Sequence, residues 1–283
     1  MFSNNVRIKQ DLNIKELEDI SNDLRCDVLK MIYIAKSGHP GGSLSAADIV
    51  TALYFKIMNI NPKNPNWPGR DRFILSKGHA CPIWYAALSK RGYFDRELLW
   101  KLREINYPLQ GHPDMNKTIG VDMTTGSLGN GLSIGCGMAL YAKIFKKDFY
   151  TYVILGDGEV NEGIVWEAAM TASKYKLDNL IAFIDYNHLQ LDGTTDEVMS
   201  LEPLDKKWEA FNWHVQTIDG HNINEIIGAI DCAKETKDAP SMIIANTVKG
   251  KGVSFMENKC DWHGIAPNDD QYKEAISNLI NRT

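Results

Sequence analysis

Tyr152-Val153-Ile154-Leu155-Gly156-Asp157-Gly158 is the stretch that decides how this chain folds. Its four apolar residues read as a buried parallel strand, and the two glycines end that strand around a carboxylate. Thirty positions after Asp157, Asn187 follows a second apolar run, Leu180-Ile181-Ala182-Phe183-Ile184. Between the two runs, Glu162 to Lys176 has helical composition and no proline. The result is a strand–helix–strand unit with an oxygen ligand just past the carboxyl end of each strand. In an open parallel sheet that edge is where ligands bind.

A hard cation suits such an edge. Asp157 offers a carboxylate and Asn187 a side-chain carbonyl, while Mg²⁺ prefers one or two carboxylates and completes its shell with phosphate oxygens. Gly156 and Gly158 let the backbone approach a diphosphate closely, and the helix that follows points free N–H groups at the same anion. The competing reading is an ordinary strand-to-helix turn with an Asp cap and an unrelated Asn.

Working outward, Ile14 to Ser37 has Leu17, Ile20, Leu24, Val28 and Met31 at helical spacing and ends at Gly38-His39-Pro40-Gly41-Gly42. A second helix is expected from Ser43 or Leu44 to about Met58, then a proline-rich loop over 61–70. Phe73-Ile74-Leu75 reads as a strand. Helices are expected over 82–90 and 95–104, and another follows the glycine-rich stretch 126–137 and ends near Lys146. Strands at 214–218 and 242–247 flank a helix over 222–237, and a last helix covers about 270–280. Alternating strands and helices predict one α/β domain over 1–283, a doubly wound and mainly parallel sheet flanked by helices. The ends, 1–12 and 281–283, are expected to be mobile.

Bulk properties narrow the function. The chain has 283 residues, 44% of them hydrophobic and 24% charged, as in ordinary globular proteins. A net charge of −5 gives no reason to expect nucleic acid or an anionic membrane as partner. No apolar run approaches the roughly 20 residues of a membrane span, and the polar stretch 1–10 lacks a signal peptide's apolar core. The five cysteines are scattered without a C-x-x-C pair, which indicates neither a zinc site nor a disulfide framework. A cytoplasmic location is expected.

Four of the seven histidines stand in loops marked by glycine or proline: His39, His79, His112 and His263. Imidazoles gathered around a carbonyl carbon can carry protons to and from successive hydroxyls. His188, His214 and His221 lack such a setting and read as structural.

These segments together resemble the transketolase family of thiamine diphosphate enzymes. The resemblance rests on Ser37-Gly38-His39-Pro40-Gly41, Arg70-Asp71-Arg72-Phe73-Ile74-Leu75-Ser76-Lys77-Gly78-His79-Ala80, Gly111-His112-Pro113-Asp114 and Thr125-Gly126-Ser127-Leu128-Gly129-Asn130-Gly131. It continues through Gly156-Asp157-Gly158…Glu162-Gly163 and Val248-Lys249-Gly250-Lys251-Gly252, ending at His263-Gly264. It implies that Asp157, Asn187 and the Leu189 carbonyl bind Mg²⁺, with Ca²⁺ or Mn²⁺ as substitutes. Gly158 and His79 would contact the diphosphate, and Gly126, Ser127 and Leu128 would line the rest of thiamine diphosphate. His39, His112 and His263 would face the sugar, His263 also lying near the diphosphate. Glu162 resembles an acid that links paired active sites in the family; its plainer reading is an acid favoured by a helix N-terminus. Lys77 stands where many relatives have Asn, and Ser127 where they often have Pro. Lys249 and Lys251 read as a solvated pair.

The match reaches only the diphosphate-binding domain. No segment resembles the pyrimidine-binding domain with its activating glutamate, or the family's C-terminal domain. The resemblance therefore implies one subunit of a two-chain transketolase, inert alone and assembled with its partner as a heterotetramer. It would move a two-carbon ketol unit from a ketose or ketose phosphate to an aldose. Three rivals are the α-subunit of a 2-oxo-acid dehydrogenase, a dinucleotide-binding dehydrogenase suggested by Gly129-Asn130-Gly131, and a non-catalytic scaffold.

Overall fold

In the computed structural model, which describes residues 12–281, five strands form a single sheet. They are β1 (Arg72–Leu75), β2 (Thr151–Gly156), β3 (Leu180–Tyr186), β4 (His214–Asp219) and β5 (Ser241–Asn246). Their order is β1-β2-β3-β5-β4, with every neighbouring pair parallel. The α/β parallel fold expected from the apolar runs is the one observed.

The helices are α1 (Ile14–Ala35), α2 (Pro40–Ser45), α3 (Ala47–Ala52), α4 (Cys81–Arg91), α5 (Asn130–Ile144) and α6 (Gly163–Lys174). They continue with α7 (Thr195–Met199), α8 (Leu204–Ala210), α9 (Ile223–Glu235) and α10 (Asp269–Ile280). Helices cover both faces of the sheet, so the central strands are buried on each side. Along β2, Tyr152 and Ile154 join one hydrophobic cluster with α1, α3 and α4. Val153 and Leu155 point the other way, into a cluster with α5, α6 and α8. This period-two alternation between two apolar layers is why the run reads as continuously hydrophobic.

Helix α1 begins in a capping box, Asn13 and Glu16 each accepting from the other's backbone N–H. It ends at Lys36 in the left-handed conformation. The next helix starts earlier than expected, because Pro40 occupies its first turn, where a missing N–H costs nothing. The expected 43–58 helix is α2 and α3, continued by a wider π turn over Leu53–Ile57. The expected 95–104 helix is reduced to a 3₁₀ segment, Arg96–Lys101. Of the ends expected to be mobile, 1–11 and 282–283 lie outside the described residues. Leu12 packs on the core, and its carbonyl accepts from Lys56 Nζ at 2.9 Å. Among the described residues no helix is long and apolar enough to cross a membrane.

Candidate active site

β2 and β3 end side by side, Gly156 paired with Asp185, so Asp157 and Asn187 emerge from neighbouring strands at one edge. There a cavity of about 250 Å³ is lined by Asp157, Gly158, Asn187, Leu189, Gln190, Lys77, His79, Lys249 and His263, among others.

Asp157 is 3% exposed. Its Oδ1 accepts the Gly158 N–H at 2.7 Å, while Oδ2 has no hydrogen-bond partner among the described residues. Burial, then the nearby Asp185 charge, push its carboxyl up to about 7. Asn187 Oδ1 accepts the Leu189 N–H at 3.2 Å, and the Leu189 carbonyl accepts from Lys249 Nζ at 3.2 Å. Among the described residues no three His, Cys, Asp or Glu side chains gather as a metal cluster. A cation here would draw on one carboxylate, one amide and one backbone carbonyl, an all-oxygen set suited to Mg²⁺. A buried carboxylate with an orphaned oxygen fits that group, since a cation would relieve the cost of leaving the oxygen unpaired.

Two lysines are buried here, one of them, Lys249, read from sequence as solvated. Lys77 is 2% exposed and pairs with the fully buried Asp185, also donating to the Gly42 carbonyl at 2.7 Å. Burial raises the Asp185 carboxyl, but Lys77, with hydrogen bonds from Ser45 and Thr247, brings it below its ordinary value. Lys249, also 2% exposed, donates from Nζ to the Leu189 and Gln190 carbonyls and to His263 Nδ1 at 3.1 Å. Lys251 is partly exposed.

Three of the four loop histidines meet. The His39, His79 and His263 ring centroids lie 5.1 to 5.5 Å apart. His112 packs over Gly126, whose φ of +148° and contact with the His112 ring favour glycine. Burial, then Arg103, lower His39 to about 4, and burial, then Lys249, lower His263 to about 4. Burial, then Lys77, hold His79 well below its usual value, and His112 is lowered by burial and Arg103. His39 and His263 are thus neutral at pH 7. Arg103 Nη2 faces His39 Nδ1 at 3.5 Å, and Lys249 Nζ faces His263 Nδ1. Arginine and ammonium only donate, which assigns the bare nitrogen to Nδ1 and the proton to Nε2 in both rings. Each can offer an N–H to an oxygen that gains negative charge.

Of the expected cofactor residues, Leu128 lines the cavity, whereas Gly126, Ser127 and Glu162 are not in its lining. Glu162 is exposed at the N-cap of α6 and makes no side-chain cap bond. Glu159 takes the buried place nearby: it accepts from Ser76 Oγ, from the Gly129 N–H at 2.7 Å and from the Gly156 N–H at 3.0 Å. It ties the glycine turn before α5 to the end of β2. The sequence reading missed Glu159, Asp185, Arg103 and the cavity role of Lys249. Glu159 was within reach, standing two residues after Asp157 in a strand-end loop.

Residues 17–279 match the family model for transketolase, thiamine diphosphate binding domain. The chain is 50% identical over 264 residues to a 6-deoxy-6-sulfo-D-fructose transketolase subunit of Clostridium sp. (strain MSTE9), covering 93% of this chain and 96% of that protein. It is 44% identical over 271 residues to an apulose-4-phosphate transketolase subunit from Phocaeicola vulgatus, covering 96% of each. Human transketolase is 43% identical over 252 residues, covering 89% of this chain but only 40% of its own length. The crystal structure of transketolase from Campylobacter jejuni superposes with a TM-score of 0.90 at 34% identity, covering 95% of this chain and 43% of that one.

Proposed function

The chain belongs to the transketolase family through its thiamine diphosphate-binding domain, and from that premise we propose that it is the diphosphate-binding subunit of a two-chain transketolase. The observation that carries this reading is the orphaned, buried Asp157 oxygen beside Asn187 and the Leu189 carbonyl, in a cavity ringed by lysine and histidine. Asp157, Asn187 and Leu189 would hold Mg²⁺; Gly158, His79 and Lys249 would face the diphosphate. Bound thiamine diphosphate supplies the electron sink for breaking a ketose carbon–carbon bond and carrying a two-carbon unit to an aldose.

The chain's own residues would orient the sugar and move its protons. His39 and His263, neutral and protonated on Nε2, offer donors to the sugar's carbonyl and hydroxyl oxygens. His112, beside Gly126, would act on the same sugar. Lys77 holds Asp185 in an ion pair beneath the cavity, leaving Asp157 as the carboxylate available to the metal.

Partner dependence has three supports. The relatives similar over nearly their whole length are named as subunits. The 250 Å³ cavity is also smaller than the roughly 300–1,000 Å³ usual for small-molecule sites, as half of a shared site would be. Exposed Tyr141, Ile144 and Phe145 at the end of α5 and Met170 on the adjacent α6 offer an apolar surface to another chain. The partner would bring the pyrimidine-binding and C-terminal domains, and the assembly would be a cytoplasmic heterotetramer. The substrate class we propose is a ketose carrying a phosphate or sulfonate, because the two relatives above are named for such sugars.

A mixing assay tests this. The chain and a partner resembling the pyrimidine-binding half are combined with thiamine diphosphate, Mg²⁺ and either xylulose 5-phosphate or a 6-sulfonated ketose, with an aldose acceptor. Ketol transfer should require both chains. Turnover by this chain alone, or decarboxylation of a 2-oxo acid in place of ketol transfer, would overturn it.

A further inference from the structure

His221 read as structural from sequence, yet it bridges a buried charge cluster and the loop that carries Lys249. Asp48, on α3, is 6% exposed and fully engaged. Its Oδ1 accepts from Ser21 Oγ at 2.5 Å and Arg25 Nη1 at 3.1 Å; its Oδ2 accepts from Arg25 Nη2 at 2.5 Å and His221 Nδ1 at 2.7 Å. His221 Nε2 in turn accepts the Val248 N–H at 2.8 Å. The donor logic leaves one state. An ionised carboxylate accepts, so Nδ1 bears the proton; a backbone N–H donates, so Nε2 is bare. Burial raises the Asp48 carboxyl, but Arg25 and the His221 hydrogen bond outweigh it and hold the group well below the usual carboxylate range.

Val248 is the residue before Lys249. The loop is fixed again where the Gly250 N–H donates to the Gly41 carbonyl at 3.0 Å and the Asn258 N–H donates to the Lys249 carbonyl at 3.0 Å. The Lys249 side chain runs tightly over Gly41, where an added Cβ would meet its Cγ at 2.9 Å. A shift in the Val248 backbone would therefore move the buried ammonium off the Leu189 and Gln190 carbonyls.

We propose that Asp48 and His221 form a positioning relay that sets the Val248–Lys249 backbone and thereby aims the Lys249 ammonium into the cavity. Both residues act through Lys249 and touch no reacting atom. The functional side rests on the diphosphate-binding reading above. Outer residues that orient a ligand commonly contribute about 10–100-fold to affinity.

The test compares His221→Leu, which removes both bonds, with His221→Gln, whose amide keeps one donor and one acceptor. Two readouts are taken on the full chain: amide hydrogen exchange over 247–252 without ligand, and affinity for inorganic pyrophosphate with Mg²⁺. The relay predicts that His221→Leu speeds exchange in that loop at least about tenfold while β5 stays protected, and weakens pyrophosphate about 10–100-fold. His221→Gln should restore both. In a Lys249→Met background, His221→Leu should weaken pyrophosphate no further. Unchanged loop exchange in His221→Leu overturns the relay, as does Gln behaving like Leu, or a full loss of affinity on top of Lys249→Met. If the unsubstituted chain binds no pyrophosphate, the diphosphate reading fails, and the exchange experiment still decides the relay.

Discussion

Two buried aspartates show how differently one chain treats the same group. Asp48 is ringed by Ser21, Arg25 and His221, with both oxygens bonded and the carboxyl held below its ordinary value. Asp157 accepts one backbone N–H, leaves the other oxygen without a partner among the described residues, and is pushed up to about 7. Burial alone cannot separate them, for both are nearly inaccessible. Satisfaction does. A completed buried ion pair is satisfied within the fold, whereas a buried carboxylate left half-bonded has an oxygen free to take up a cation.

That contrast can be broken most forcibly at Asp157. Asp157→Ala should cut retention of thiamine diphosphate and Mg²⁺ by the assembled complex at least about 100-fold, beyond the loss typical of residues that only support a ligand. Retention is read by cofactor content after desalting. Undiminished content would place the metal elsewhere.

Stability should respond the other way round. Asp48→Ala removes one partner of a buried pair and should cost about 3–5 kcal/mol in urea unfolding. Asp157→Asn should leave the unliganded chain no less stable, since it removes an uncompensated buried charge. A large loss at Asp157 with little at Asp48 would invert the comparison.

The pH dependence has a defined sign. Asp157 moves from an ordinary value of 3.8 to about 7 on folding. Its stabilising contribution is therefore complete below about pH 4 and lost as pH rises through 7. His39 and His263 fall from 6.5 to about 4, so their contribution is present above pH 6.5 and lost as pH falls towards 4. Melting curves of Asp157→Asn and His39→Asn, each subtracted from the unsubstituted chain, should slope in opposite directions between pH 4 and 7. Parallel difference curves would contradict these assignments.

The smallest effect separates two neighbours. Lys249→Met should weaken pyrophosphate about tenfold or more, whereas Lys251→Met, on a partly exposed side chain, should change pyrophosphate affinity by no more than about twofold, the size of a surface effect of about 0.5 kcal/mol. Equal effects on pyrophosphate would return both lysines to the solvated pair that the sequence suggested.

Local patterns explain what was legible beforehand. β2 and β3 announce themselves as short apolar runs, and Asp157 and Asn187 sit where those runs stop. Of the four glycine- and proline-marked histidines, His39, His79 and His263 lie together in the fold. The rest depends on partners far along the chain. Lys77 finds Asp185 across 108 positions, and His221 finds Asp48 across 173; no periodicity carries that information. Helices α7 and α8, five and seven residues long, are too short to show a helical period and passed unread. At Pro40 a residue read as a breaker instead opened a helix.

The most direct measurement of the central claim is a calorimetric titration of the two-chain complex with thiamine diphosphate and with thiamine, each with and without Mg²⁺. The account predicts tight binding only when diphosphate and metal are both present, and its loss in Asp157→Ala. Binding of thiamine as strong as that of thiamine diphosphate, or binding indifferent to Mg²⁺, would contradict it.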